Sequence, residues 1–352
     1  LRAARDGDER GTHAGMSSMK PRRVFLLGAT GTIGRATLRA LVRRGHEVVC
    51  FVRPPADAGA DVGKTMSTRD TQPDPSGATL RFGDVRDPAS LARDGFRGER
   101  FDALVSCLAS RTGAPKDAWA IDHQAHVEAL EAAVQAGISQ MVLLSAICVQ
   151  KPVLAFQQAK LAFEKKLIDS GLTYSIVRPT AFFKSLSGQV DRVRRGKPFL
   201  VFGDGRLTAC KPIADDDLAD YLADCLDTPA LHNRMLPIGG PGPAITPLQQ
   251  GELLFAALGR APRFKQVPVA LLDAIVGALG ATGRLVPPLA AKAELARIGR
   301  YYATESMLVW DAKAGRYDAD LTPSTGRRTL ADHYADLAQG RATHEGGDHV
   351  VF

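Results

Sequence analysis

The chain has 352 residues, 45% hydrophobic and 24% charged, the range of a folded globular protein, which excludes a disordered or fibrous one. That length accommodates a nucleotide-binding domain with a smaller companion. The net charge of +7 comes from scattered basic residues, with no Lys/Arg run interleaved with aromatics, which argues against nucleic-acid binding.

Residues 1–20 mix Arg with acidic residues and have no apolar core. They read as a disordered tail rather than a secretory signal, with Met16 or Met19 as alternative starts. Cys50, Cys107, Cys148, Cys210 and Cys225 form no CxxC pair and lie in or near apolar runs such as VVCFV. Reduced core cysteines of a cytoplasmic protein are expected, and no metal site. No run reaches the roughly 18 apolar residues that span a bilayer. VALLDAIVGALGATG comes nearest, and Asp273 interrupts it.

From Arg22 short apolar runs alternate with helical stretches. RRVFLLGA, EVVCFVR, TLRFGDV, DALVSCLA, QMVLLSA and TYSIVRP read as strands, TIGRATLRALVRRG as a helix ending at Gly45. KDAWAIDHQAHVEALEAAVQAG and LAFQQAKLAFEKKLIDSG read as further helices. Continuous Val/Leu/Ile runs imply strands buried on both faces. Strand–helix alternation then implies an α/β fold, a Rossmann-type doubly wound parallel sheet. This domain is expected over 21–180, with a mobile loop over 54–78, where Pro, Gly, Asp and Thr replace the periodicity. Beyond it, 181–340 is expected to complete the sheet and form a smaller, mostly helical substrate part, and 341–352 a tail. ADDDLADYLADCLD reads as a helix opening on carboxylates, and MLPIGGPG as a strand and turn.

GATGTIGR, Gly28 to Arg35, follows the first strand and opens a helix, the context of a dinucleotide phosphate loop. Gly28 allows the tight turn, Gly31 a close approach of backbone to pyrophosphate, and Gly34 helix–strand packing. N–H groups around Thr30, Thr32 and Ile33 supply the anion site. An ordinary glycine-rich turn is the plain alternative. NAD binding would want an acidic residue about 20 residues further on. This chain has Arg53 there and Arg35 beside the last glycine, cations suited to a 2′-phosphate, so NADPH is the expected cofactor. A solvated Arg53 is the competing reading. Asp84, with Val85 beside it, follows the third strand where a carboxylate can meet the adenine, unless it only forms a turn.

Ser145 ends a strand and Lys160 lies on the next helix. A short-chain reductase acting on a carbonyl carries a tyrosine four residues before that lysine, to protonate the nascent alkoxide. Here the residue is Phe156. Reduction of a conjugated C=C bond forms no alkoxide and tolerates the phenylalanine. The opposing reading is an NADP(H)-sensing regulator with no turnover.

GATGTIGR, VSCLASR, KDAW…ID, LLSAICVQKP with FQQAKLAFE, IVRPTAFFKSL, GGPGPAITP, RIGRYYATESMLVWD and TPSTGRRTL together resemble the divinyl chlorophyllide a 8-vinyl-reductases. These are atypical short-chain dehydrogenases near the isoflavone-reductase-like and NmrA-like proteins. The resemblance runs from Pro21 to about Leu337; the 54–78 loop and the N-terminal tail depart from it. It implies NADPH-dependent reduction of the 8-vinyl group of a divinyl chlorophyllide or protochlorophyllide. It carries cofactor contacts onto Gly28, Thr30, Gly31, Ile33, Gly34, Arg35 and Arg53. By the general short-chain pattern Asp84, Cys107, Leu108, Ala109, Ser145, Lys160 and Pro179 follow, with Lys160 and Ser145 as the catalytic pair. A flat, apolar tetrapyrrole, which brings its own magnesium, would meet Phe156, Phe182, Phe183, Tyr301 and Tyr302, with Lys184 on a propionate. Core phenylalanines and a solvated lysine are the bland alternative. His123 and His126 read as structural, and Cys148 as a weaker proton-donor candidate than Lys160. Val267–Leu285 reads as a buried helix pair, a lid, or a peripheral contact with a photosynthetic membrane. A reductase of another conjugated substrate remains the enzyme alternative.

Overall fold

Side-chain alternation in the first strand divides the core in two. In β1 (Arg23–Leu27), Val24 and Leu26 enter one apolar cluster, Phe25 and Leu27 the other. A computed structural model describes residues 20–54, 77–283 and 287–342. Around β1 lie β2 (Glu47–Val52), β3 (Ala78–Phe82), β4 (Ala103–Ser106), β5 (Gln140–Leu144) and β6 (Thr173–Pro179). Two short strands follow, β7 (Phe199–Phe202) and β8 (Arg234–Ile238). The main sheet has the order β3-β2-β1-β4-β5-β6-β8, and every neighbouring pair is parallel. The order reverses beside β1, which opens a crevice at the carboxyl ends of β1 and β4.

Helix α1 (Thr32–Arg43) covers one face. Helix α2 (His126–Gln135) and helix α3 (Ala155–Asp169) cover the other, and α4 (Asp215–Asp227) packs beside α1. The segment between β6 and β8 and the chain after β8 together build a separate core around Val190, Phe199, Leu254 and Tyr334. It is framed by α5 (Pro247–Ala257), β9 (Phe264–Val267) paired parallel with β7, and, beyond α6 (Val269–Gly283) and α7 (Pro287–Thr304), by α8 (Leu330–Ala338). A hairpin, β10 (Val309–Asp311) with β11 (Arg316–Asp318), precedes α8.

One sequence expectation is modified and one extended. The long helix from Lys116 is divided: a helical turn at Pro115–Ala118, a wider π-helical turn at Trp119–Ala125, then α2. The part after Thr246, expected to be mostly helical, is so, and short strands lie among its helices. FKQV and the β10–β11 pair are too short and polar to show a strand period, and they pair only through tertiary contacts. Residues 55–76 of the expected loop, 1–19 and 343–352 lie outside the described residues.

Candidate functional site

The sheet gathers the site at its carboxyl edge. Gly28 leaves β1 with φ +77°, and a Cβ there would lie 2.5 Å from the Cys107 carbonyl carbon. Only glycine permits this approach, which sets Cys107 and Leu108 beside the loop. A Cβ on Gly34 would lie 2.0 Å from the Gly28 carbonyl oxygen, so the first turn of α1 also requires glycine. Gly31 caps α1 with no side-chain cap bond, leaving first-turn N–H groups turned toward an incoming anion. Thr30 and Gly31 are exposed, and Thr32 half-buried. Ile33 is buried in the core beneath, so its side chain is a packing element. These residues fit the pyrophosphate of a dinucleotide.

Arg53 is exposed just past β2, and Arg35 sits in the first turn of α1. Asp84 is half-buried. Its carboxylate is engaged by Arg86, 2.7 Å at the closest, which holds it below the ordinary carboxyl range, with Arg53 adding to the field. Val85 is buried in the second sheet-face cluster. The Cys107 thiol lies 3.5 Å from the Thr37 hydroxyl, and burial pushes its pKa up to about 11, so it stays a thiol. Ala109 is exposed beyond β4, and Pro179 is buried at the end of β6.

Ser145 and Lys160 come together, with partners the sequence reading did not single out. Lys160 Nζ lies 3.0 Å from Asp122 Oδ1, the lysine side chain 12% exposed and the aspartate 0%. Both line a small pocket with His126, Leu143, Leu144, Ser145 and Phe163. Asp122 sits in the π-helical turn, a device that re-aims side chains within a helix. Its Oδ1 also accepts from the Ser110 N–H, while Oδ2 is buried with no hydrogen-bond partner. The available signal was a carboxylate at spacing four from His126 on an otherwise apolar face. His126 is structural: it bonds Ser106 Oγ at 2.9 Å and the Ile121 carbonyl oxygen, and burial lowers its pKa to about 4. Ser145 Oγ donates to buried Glu164, which Arg178 also grips. The serine proton is therefore committed to Glu164.

The substrate candidates divide. Phe156 packs with Ile147, Cys148, Leu154, Ile298, Tyr301 and Met307, and Tyr302 joins the same cluster. Tyr301 donates to the Cys148 carbonyl oxygen at 3.0 Å. Tyr302 Oη lies 3.9 Å from Cys148 Sγ, and burial raises the tyrosine pKa far enough to keep it protonated. Phe183, expected to stack on substrate, is instead 4% exposed in the second core, tilted against His333. Its apolar ring gains more from that core than from a cleft. Phe182 packs against the first sheet-face cluster. Lys184, expected at a propionate, donates from Nζ to Thr32 Oγ1 at 3.2 Å, over the phosphate loop. Among the described residues no group of three or more His, Cys, Asp or Glu is placed to hold a metal, and no helix is long and apolar enough to cross a membrane.

Residues 28–229 match a family model described as NAD(P)H-binding. A divinyl chlorophyllide a 8-vinyl-reductase of Oryza sativa subsp. indica is 47% identical over 335 residues, 94% of this chain and 82% of that protein. The Photosystem II assembly factor Ycf39 of Synechocystis sp. is 25% identical over 255 residues, 71% of this chain and 72% of that protein. The structure of AtPrR2 with NADP+ and (+)pinoresinol superposes with TM-score 0.65 at 16% identity, covering 91% of this chain and 99% of that one, a likeness of fold alone. With that identity over nearly its full length, this chain belongs to the divinyl chlorophyllide a 8-vinyl-reductase family.

Proposed function

We propose that this chain reduces the 8-vinyl group of a divinyl chlorophyllide a, or its protochlorophyllide counterpart, to ethyl, using NADPH, in (bacterio)chlorophyll formation. Family membership supports the reaction, and Phe156 is the observation that carries it into the site. The ring occupies the place of a tyrosine acid and packs into an apolar cluster, while Lys160 pairs with Asp122 instead of a phenol. Such a site is poorly equipped to protonate an alkoxide and well suited to a reaction that forms none.

Bound NADPH would supply the hydride. The phosphate loop and Lys184 hold the pyrophosphate, and Arg53 with Arg35 receives the 2′-phosphate. Lys160, steadied by Asp122, would hydrogen-bond the nicotinamide ribose. Phe156, Tyr301 and Ile298 exclude water from an apolar macrocycle. Negative charge arising on the substrate spreads into its π system, so the protein need supply only a proton to carbon.

Purified protein incubated without oxygen with NADPH and divinyl chlorophyllide a tests this. A product heavier by two hydrogens, with ethyl in place of vinyl, is expected. Tight NADPH binding with no product from folded protein and intact substrate would overturn it in favour of a non-catalytic NADP(H) sensor.

A further inference from the structure

Asp215, Asp216 and Asp217 open α4, and the fold gives each a different setting. Asp216 pairs with Arg39 of α1 at 2.7 Å. Asp217 accepts from the Arg327 and Arg328 N–H groups, both at 3.1 Å. Asp215 keeps one buried carboxylate oxygen with no hydrogen-bond partner among the described residues. Holding such an oxygen charged and unbonded costs free energy that a protonated acid avoids.

Backbone pairing decides what stands beside Asp215. Phe182 and Ile213 form an isolated parallel bridge, with the Ile213 N–H donating to the Ala181 carbonyl oxygen at 3.0 Å. Two residues further along each segment come Lys184 and Asp215. The charged groups facing Asp215 are Lys184 from this turn, Arg39 from α1, Arg328 from the segment before α8, and Asp216 from its own helix. Of the three cations Lys184 acts on it most strongly. The same ammonium donates to Thr32 Oγ1 at 3.2 Å, in the first turn of α1, where the pyrophosphate would lie. One cation thus faces both the buried acid and the phosphate loop.

We infer that Asp215 is a positioning residue for the cofactor and acts through Lys184. As a neutral acid it leaves the ammonium to the pyrophosphate. As a carboxylate it competes for that ammonium and weakens the hold. Binding of the dinucleotide is then accompanied by proton uptake at Asp215. The inference deepens the proposed function and rests on it in one respect, that a dinucleotide lies with its pyrophosphate on GATGTIGR.

The direction with pH follows. Burial, then repulsion from Asp216, raises the Asp215 pKa to about 6 in the unliganded chain. Bound pyrophosphate brings further negative charge and raises it again. Affinity is therefore level at about pH 5, where the acid is neutral with or without ligand, and falls as pH rises through about 6.

ADP-ribose is the probe, because it carries the pyrophosphate without the 2′-phosphate, which itself titrates. Calorimetric titration of the full chain should give a Kd about tenfold higher at about pH 8 than at about pH 5. Asp215→Asn should keep the low-pH affinity at both. Lys184→Ala should bind more weakly than wild type and without the pH dependence. A wild-type Kd that does not change with pH, or a dependence retained by Asp215→Asn, would overturn the inference. A dependence retained by Lys184→Ala would overturn it too, since the acid would then act on the ligand directly. Absence of ADP-ribose binding to any of the folded proteins would overturn the cofactor placement itself, and the inference with it. No arm uses the tetrapyrrole or turnover, so failure of vinyl reduction is read separately.

Discussion

Lys160 Nζ lies 3.0 Å from Asp122 Oδ1, and the pair is almost wholly removed from water. The lysine that would hold the cofactor ribose is thus itself held, by a carboxylate on the neighbouring helical turn. Lys160→Ala would leave Asp122 charged, buried and unpaired, a loss of about 3–5 kcal/mol of stability. Asp122→Asn keeps the shape and removes the charge. It should lower kcat by about tenfold or more while the protein stays folded. Thermal denaturation and steady-state kinetics check both; an unchanged melting temperature for Lys160→Ala would dismiss the pair as a structural element.

Arg53 and Lys184 should separate by cofactor. Arg53→Ala is expected to raise the Kd for NADPH by about tenfold and barely change that for NADH, because only NADPH carries the 2′-phosphate. Lys184→Ala, which removes the cation over Thr32, should weaken both alike, since both share the pyrophosphate. Fluorescence titration with each cofactor decides. A Lys184 variant that altered only tetrapyrrole binding would return that lysine to the substrate.

Phe156→Tyr should not improve vinyl reduction. The half-buried ring packs against the Ile298–Tyr301 cluster, and a hydroxyl added to it supplies an acid that reduction of a C=C bond does not use. Faster turnover of the divinyl substrate by this variant would contradict the site as described. Single-turnover measurement of product would show it.

Asp215 provides a pH prediction. It opens α4, one carboxylate oxygen is buried without a partner, and burial followed by repulsion from Asp216 raises its pKa to about 6, against the opposing pull of Lys184, Arg39 and Arg328. The folded chain therefore binds a proton that the unfolded chain has lost. The stability this confers is full below about pH 4 and is lost as pH rises through about 6. Asp215→Asn should raise the melting temperature at about pH 8, by an amount on the order of 2–3 kcal/mol in stability, and change little at about pH 4. A variant equally stabilised at both pH values would refute the assignment.

Local pattern carried much of this molecule. The buried strands, the helix after GATGTIGR and the position of Ser145 just past β5 all follow from short-range periodicity and from the sterics of Gly28 and Gly34. The β7–β9 sheet and the β10–β11 hairpin were hidden because their few residues carry no strand period apart from the partner strand.

The sequence by itself determined the α/β class, the phosphate loop, the Arg53 position and the absence of a tyrosine before Lys160. Each is a property of neighbouring residues, whose backbone constraints act over a few bonds. Only the tertiary structure decided which charges meet. Asp122 reaches Lys160, Glu164 takes the Ser145 proton in hydrogen bonding, Lys184 turns to Thr32, and Phe183 turns into the core. Those pairings join residues far apart in the chain. A side chain's partner is set by how whole helices and strands pack, where burial makes an unpaired charge costly and an apolar ring favourable, and no local pattern encodes that choice.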